Sequence, residues 1–143
     1  MNTTDFDEVV EQYHRALGEH LKGNPEPNKM MHSQQEDVTL ASLHGPPVRG
    51  WEQVAATMEH AASLRREGEI VDIETVAKYV TPELAYIVEV ERNKAKIGGR
   101  QDIAPFDLRV TTIFRTEDGT WKVVHRHADP ITTAQPIESV LQK

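Results

Sequence analysis

The sequence predicts an α+β fold in which a strongly curved antiparallel sheet wraps around N-terminal helices and leaves a cone with an open mouth. Three observations carry this. Two amphipathic helical stripes occupy the first half of the chain. Long runs rich in Val, Ile, Thr, Phe and Trp, separated by tight-turn residues, fill the second half. The order is helices first and strands afterwards, not the alternation that builds a parallel sheet. The mouth of such a cone is a natural place for a small-molecule pocket.

The first helix opens on Thr4 and Asp7, which resemble a capping box. Phe6, Val9, Val10, Tyr13, Leu17 and Leu21 recur at helical spacing, and Gly23-Asn24-Pro25 ends the run. A short helix is expected around Asn28 to Ser33. Val38 to Leu43 reads as a strand, turned by Gly45-Pro46-Pro47. A second long helix runs from Trp51 to about Arg66, with Val54, Ala55, Met58, Ala61, Ala62 and Leu64 on its apolar side and Gly68 as its stop. Its alanines suit close packing on a sheet. Strands follow at Ile70 to Val80, Leu84 to Ile97, Phe106 to Arg115 and Trp121 to Ala128. Ile137, Val140 and Leu141 suggest a short tail helix or an ordered arm. The expected organisation is one domain over 1–143, with its core over about 5–130 and a tail over 131–143.

The last hairpin decides which residues share a face. A loop of Thr116 to Gly119 sets Arg115 opposite Thr120. Arg109, Thr111 and Ile113 then lie with Lys122, Val124, Arg126 and Ala128. Leu108, Val110, Thr112 and Phe114 lie with Trp121, Val123, His125 and His127. A three-residue loop would instead put the histidines beside Arg109 and Thr111. The first register keeps the bulky apolar residues together and is preferred.

Composition narrows the function. With 38% apolar and 27% charged residues the chain is of ordinary globular type. A formal charge of -7 argues against nucleic acid or an anionic membrane, both of which need a basic face. No apolar run reaches the length of a membrane span. The chain has no cysteine, which fits a reducing compartment, and MNTTDFDEVV lacks the basic and apolar regions of a signal peptide. A cytoplasmic location is expected.

From Phe6 to Pro130 the chain resembles the SnoaL-like and ketosteroid-isomerase-like group of the nuclear transport factor 2-like superfamily. The resemblance rests on Tyr13 in the first helix, the strand entry at Asp37-Val38, Arg49-Gly50-Trp51, and Asp118-Gly119-Thr120-Trp121-Lys122-Val123-Val124-His125-Arg126-His127. It implies the conical fold, a homodimer joined through the outer sheet face, and a ligand pocket between the concave sheet and the helices. It implies no function by itself, because this fold hosts isomerases, cyclases, dehydratases and non-catalytic hubs.

Carried over residue by residue, the isomerase chemistry thins out. Tyr13 occupies the place of the oxyanion-polarising tyrosine. Ser42 stands where the general base would be an aspartate, and Thr111 where the second oxyanion donor would be a carboxylic acid. A serine does not shuttle a proton near neutral pH without activation, whereas Tyr13 and Thr111 can still polarise a carbonyl. The same alignment puts Tyr86, Val88 and Val90 on the pocket side, with Thr111, Val124 and Ala128. It adds Arg109 and Arg126 as anchors for an aromatic or carboxylate ligand; the alternative for each arginine is a rim position paired with Glu89, Glu91 or solvent.

His125 and His127 share a strand face and could form part of a metal site, but no third ligand is spaced to join them. They are expected on the outer face, and no metal or cofactor is expected. Glu89 and Glu91 alternate correctly for paired carboxylates, though a solvated or salt-bridged row is preferred. The resulting expectation is a small-molecule-binding protein, of isomerase, cyclase or dehydratase type, acting on a polyketide-like or carbonyl compound by cofactor-free proton transfer. The alternative is a non-catalytic ligand-binding or assembly domain.

Overall fold

The structure is a computed structural model that describes residues 3–142. Helix α1 (Thr3–His20) is followed by the short α2 (Glu26–Met31), strands β1 (Thr39–Ala41) and β2 (Val48–Arg49), and helix α3 (Trp51–Ser63). Four long strands complete the fold: β3 (Arg65–Val80), β4 (Leu84–Ile97), β5 (Ala104–Glu117) and β6 (Thr120–Asp129), with a 3-10 turn at Ile137–Val140. They form one six-stranded sheet in the order β2-β1-β6-β5-β4-β3, antiparallel except where β1 runs beside β6. The α+β cone expected from the pattern is the fold observed.

Several boundaries differ from expectation for local reasons. The cap assigned to Thr4 involves a side chain outside the described residues, and α1 already begins at Thr3. Helix α2 starts at Glu26, behind Pro25, rather than at Asn28. Strand β1 is shorter than the Val38 to Leu43 run. Helix α3 ends at Ser63, and Arg65 and Arg66 already pair with Ile97 and Lys96.

The sheet bends because β3 is repeatedly bulged against β4. Register shifts occur between Arg66 and Glu69, Ile70 and Asp72, and Thr75 and Ala77. Each extra residue bends the strand and increases its twist. At the first of these, Glu67 has a φ of 53° and Gly68 donates its N–H to the Leu21 carbonyl at 3.1 Å. A Cβ on Gly68 would stand 2.7 Å from that carbonyl oxygen and 2.8 Å from that of Lys94. Only glycine lets the end of α1 rest directly on the sheet.

The hairpin joining β5 to β6 turns on Asp118-Gly119, with φ of 52° and 80° and Glu117 paired to Thr120. Two successive positive φ values match the right-handed twist of the strands, and Gly119 adopts the second without strain. Pairing then runs through Phe114 opposite Val123, but the next pair is Ile113 opposite His125. Val124 is the unpaired bulge residue. Beyond it the faces exchange: Arg126 pairs with Thr112 and Ala128 with Val110, while His125 and His127 join Ile113 and Thr111.

The inner face therefore carries Ile87, Glu89 and Glu91 of β4, Val110, Thr112 and Phe114 of β5, and Val123, Arg126 and Ala128 of β6. At its closed end Phe6 meets Phe114 edge-on at 5.0 Å and Trp121 at 5.2 Å. Tyr13, Leu17, Ala85, Ile87 and Val123 complete that buried cluster. A second cluster of Val38, Leu40, Val54 and Met58, with Trp51 against it, seats α3 on the short strands. Trp51 thus anchors its helix, as the sequence suggests.

Candidate ligand cavity at the cone mouth

Helix α1 lies along the inner face with its first turns at the closed end and its last turn at the mouth. Its apolar stripe continues past Tyr13 to Leu17 and Leu21, and His20 projects from the same end. Beyond the apolar cluster the inner face turns polar, with Glu91 and Asn93 on β4 and Arg126 on β6. Asn28 of α2, His32 just after it, and Met58 and Ala61 of α3 close the opposite side. Leu40, Phe106, Leu108 and Ala128 give apolar wall, and Ser42, His44 and Arg65 reach the cavity from its edges. The centres of water-sized spheres fit over about 60 Å³, and about 650 Å³ is empty when the open mouth is counted. The inner part has room for about four to six waters or a comparably small polar group.

The strongest interaction in the wall is the pair of Arg126 and Glu91, whose side chains are 11% and 3% exposed. Nη1 and Nη2 of Arg126 each donate to one Glu91 oxygen at 3.0 Å. Nη1 also donates to the Tyr13 hydroxyl at 3.0 Å. Burial works against the charge of Arg126, but the Glu91 carboxylate outweighs it and holds the guanidinium protonated. Burial pushes the Tyr13 phenol up, and the neighbouring Arg126 charge works in the opposite direction.

Three histidines of the wall are held neutral. Burial, with the charges of Arg65 and Arg126, lowers His20 to about 3. Burial also lowers His32 to about 4, against the hydrogen bond that ties its ring to the Asn28 carbonyl. His44 is lowered by burial and by Arg65. Two tautomers follow from the partners. His32 Nδ1 lies 2.7 Å from the Asn28 carbonyl oxygen, which can only accept, so Nδ1 carries the proton and Nε2 is a bare lone pair. His44 Nε2 lies 2.9 Å from Arg65 Nη2, which can only donate, so Nε2 of His44 is the acceptor.

Four buried side-chain atoms lack a hydrogen-bond partner among the described residues: His20 Nδ1, Asn28 Oδ1, His32 Nε2 and Trp121 Nε1. The first three belong to residues that line this one cavity. Unpartnered buried polar atoms are rare in folded proteins and cost stability, so three around one space mark it as a place for another polar group.

The residues expected at the site divide sharply. Ser42 and Arg126 are on the cavity wall, and Ser42 Oγ accepts from the His44 N–H at 3.3 Å. Tyr13 is fully buried behind Arg126 and acts through it rather than touching the cavity. Thr111 is on the outer face between Val88 and His127, and its neighbour Thr112 takes the inner position, 3.5 Å from the Tyr13 hydroxyl. Tyr86 and Val88 are also outside; Tyr86 is exposed and stacks on Tyr79 at 5.6 Å. Arg109 is exposed and held by Asp129 at 2.7 Å, so it is not an anchor for a ligand in the cone. Val124 occupies the bulge instead of the pocket wall.

Glu89 and Glu91, expected as a solvated or salt-bridged row on the other face, are both buried inside. Glu89 accepts from Thr75 at 3.3 Å and pairs with His14 at 2.8 Å, so each carboxylate has its own partner. His125 and His127 lie outside, at Thr39 and Asp129 respectively, and among the described residues no three His, Asp or Glu side chains cluster so as to hold a metal ion. The loop after Ile97 is a hairpin connection fastened by Arg66, which donates to the Arg100 carbonyl at 2.7 Å. His20, Asn28, His32, His44 and Arg65 were not anticipated. His20 follows Leu17 by three residues, which places an imidazole on the apolar face of α1, and that spacing was the available signal.

A family model for the SnoaL-like domain matches residues 7–132, and the chain belongs to that family. Its fold is that of the nuclear transport factor 2-like superfamily, as the resemblance implied. A protein of that superfamily from Salmonella enterica serovar Typhimurium superposes with a TM-score of 0.75 at 14% identity, over 94% of each chain. A ketosteroid isomerase-like protein from Erwinia carotovora atroseptica gives 0.72 at 11% identity, over 89% of this chain and 94% of that one. A candidate calcium/calmodulin-dependent protein kinase II association domain from Xanthomonas campestris gives 0.70 at 15% identity, over 94% and 91%. At these identities the likeness is one of fold. No curated protein matches the chain in sequence. No described helix is long and apolar enough to cross a membrane.

Proposed function

We propose that this SnoaL-like protein binds a small molecule in the cone mouth and moves a proton on it without a cofactor. The observation that carries this reading is the set of three buried, unpartnered polar atoms, on His20, Asn28 and His32, around one cavity. Leu40, Phe106 and Leu108 suit an apolar ligand body, and the polar inner end suits a carbonyl or hydroxyl. His32 Nε2, deprotonated by its tautomer, is the group fitted to accept a proton, in place of the missing aspartate. Arg126, held rigid by Glu91 and Tyr13, supplies positive potential for a developing oxyanion. The test is a melting-temperature screen against carbonyl compounds and small aromatic ligands, repeated with His32→Gln and Arg126→Gln. A ligand that binds the native state raises the midpoint by mass action. A shift abolished in both variants supports the reading; a shift untouched in both overturns it.

A second reading concerns assembly. On the outer sheet face, Tyr79 is 57% and Tyr86 39% exposed, with half-buried Val88, Val90 and Ile113 beside them. An apolar strip of this kind across neighbouring strands suits a second copy of the same chain, packed sheet against sheet. The non-catalytic alternative is that this pairing is the main role of the domain. Sedimentation of the wild type and of Tyr86→Lys tests the pairing: a dimer that becomes a monomer supports it, and a wild-type monomer overturns it.

A further inference from the structure

We propose that the ligand of this cavity is a small organic anion, whose carboxylate or equivalent oxygens are seated against Arg65. The proposal rests on the reading of the cavity as a ligand site and adds the charge class of the ligand. Its basis is a charge imbalance in the wall. Arg92, Arg100, Arg109, Arg115 and Arg126 each hold a carboxylate. Arg65 is only 4% exposed, more buried than any of them, and holds none among the described residues. Its Nη1 donates to the Ala61 carbonyl in the last turn of α3 and its Nη2 to His44 Nε2. Both partners are neutral.

The other charges facing the cavity do not compensate it. Glu91 is committed to Arg126 through both oxygens. His20, His32 and His44 are neutral at physiological pH. Asn28, Asn93 and Ser42 carry no charge. The wall therefore has one unbalanced positive charge, and a buried guanidinium without a counter-ion is costly unless something brings the charge. The strain on it shows in Arg65 itself, drawn down to about 10 by burial and by the nearby Arg126. A planar guanidinium matches the two oxygens of a carboxylate.

The unpartnered acceptors extend the description. Asn28 Oδ1 and His32 Nε2 both need a donor. A carboxylate ligand that also carries a hydroxyl or amino hydrogen would satisfy an acceptor and the cation together. Its negative charge would also offset the positive charges of Arg65, Arg126 and Lys122 that act with burial to hold His20 and His32 deprotonated. Binding would thus make His32 a stronger base at the moment a substrate is present.

The experiment compares benzoate, 4-hydroxybenzoate and phenylacetate with their primary amides, which keep shape and lose charge. Binding to the wild-type protein is measured by melting shift and calorimetry. The expected result is binding of the acids at least tenfold tighter than that of the amides, lost in Arg65→Gln and retained in Arg109→Gln on the outer face. If Arg65→Gln does not fold, the acid-to-amide ratio on the wild type decides the question alone. Acids and amides binding equally would overturn the anion and leave the cavity as a ligand site. Binding of neither class would overturn both.

Discussion

Arg126 and Tyr13 stand 3.0 Å apart, guanidinium to phenol, with Tyr13 wholly buried and Arg126 on the wall of the cavity. The relationship joins the two halves of the cone. Tyr13 belongs to the packed end, edge-on to Phe114 at 5.5 Å, and its hydroxyl is the point where that packing meets the polar mouth. The tyrosine expected to touch a ligand instead positions an arginine of the cavity wall. Thr112 closes the same junction from β5.

Glu91→Gln should destabilise the protein by about 3–5 kcal/mol, because it leaves the Arg126 charge buried without its partner. The double change Glu91→Leu with Arg126→Met should recover most of that loss, since neither charge then needs desolvation. Urea denaturation of the two variants measures both. Equal instability in the single and double variants would show that Arg126 is held by something other than Glu91.

Acid should weaken the fold through the neutral histidines. His20 and His32 are lowered to about 3 and about 4 from an ordinary value near 6.5. Below that value the unfolded chain takes up protons that the folded chain refuses. Stability is therefore complete above about pH 6.5 and falls as the pH drops toward 4, by up to about 1.4 kcal/mol per pH unit for each histidine. His20→Gln and His32→Gln should each flatten the slope between pH 6.5 and 5 by about one proton. Denaturation at several pH values reads this directly, and slopes parallel to the wild type would refute it.

The fold was legible because its signals are local and repeated. Phe6, Tyr13 and Leu17 mark a helical stripe, and Ile87, Val110 and Val123 mark strand faces whatever the details of register. The site was legible only in part, because the pocket was assigned to the wrong face of two strands. The parity near the turn is right, with Phe114 beside Val123, but Tyr86, Val88, Arg109 and Thr111, expected in the pocket, lie on the opposite face from Phe114 and Ile87. Arg126 and Ala128 reach the cavity all the same, because the bulge at Val124 turns them inward. Nothing in Val123-Val124-His125 marks a bulge in a single sequence. Glu89 and Glu91 are paired with basic side chains, as the salt-bridged alternative has it, but they are buried, because their partners His14 and Arg126 come from elements remote in sequence. Arg65 falls within the helix expected to reach about Arg66, and the end of α3 at Ser63 makes it the first residue of β3 instead.

Arg109→Ala should leave stability close to that of the wild type and cavity binding intact. Its side chain is 54% exposed, and its one carboxylate, Asp129, is shared with His127. A loss of ligand-induced melting shift in this variant would place the binding site on the outer face and contradict the cavity.

Gly68→Ala should cost about 1–3 kcal/mol, as small-to-large changes at tight contacts do. The added methyl would meet the carbonyl oxygens of Leu21 and Lys94 and the Ala95 side chain, and backbone atoms cannot rotate away. A melting curve tests it, with no change implying that α1 can lift from β3 freely.

Deleting Val124 tests what the bulge itself contributes. Val123 and His125 would then be consecutive, and the pairs of Phe114 with Val123, Ile113 with His125 and Thr112 with Arg126 would stay as they are. Arg126 keeps its inward place against Glu91, and Ala128 its place beside Val110 and Leu108. What goes is the extra residue that bends β6 and increases its twist. The packing of Phe6, Phe114 and Trp121 lies ahead of the deletion and is kept. The expected outcome is a folded protein with the near-ultraviolet signal of Trp121 preserved and the cavity's ligand response retained. A folded variant that loses the ligand response would show that the bend at Val124, and not the pairing alone, places Arg126 in the wall.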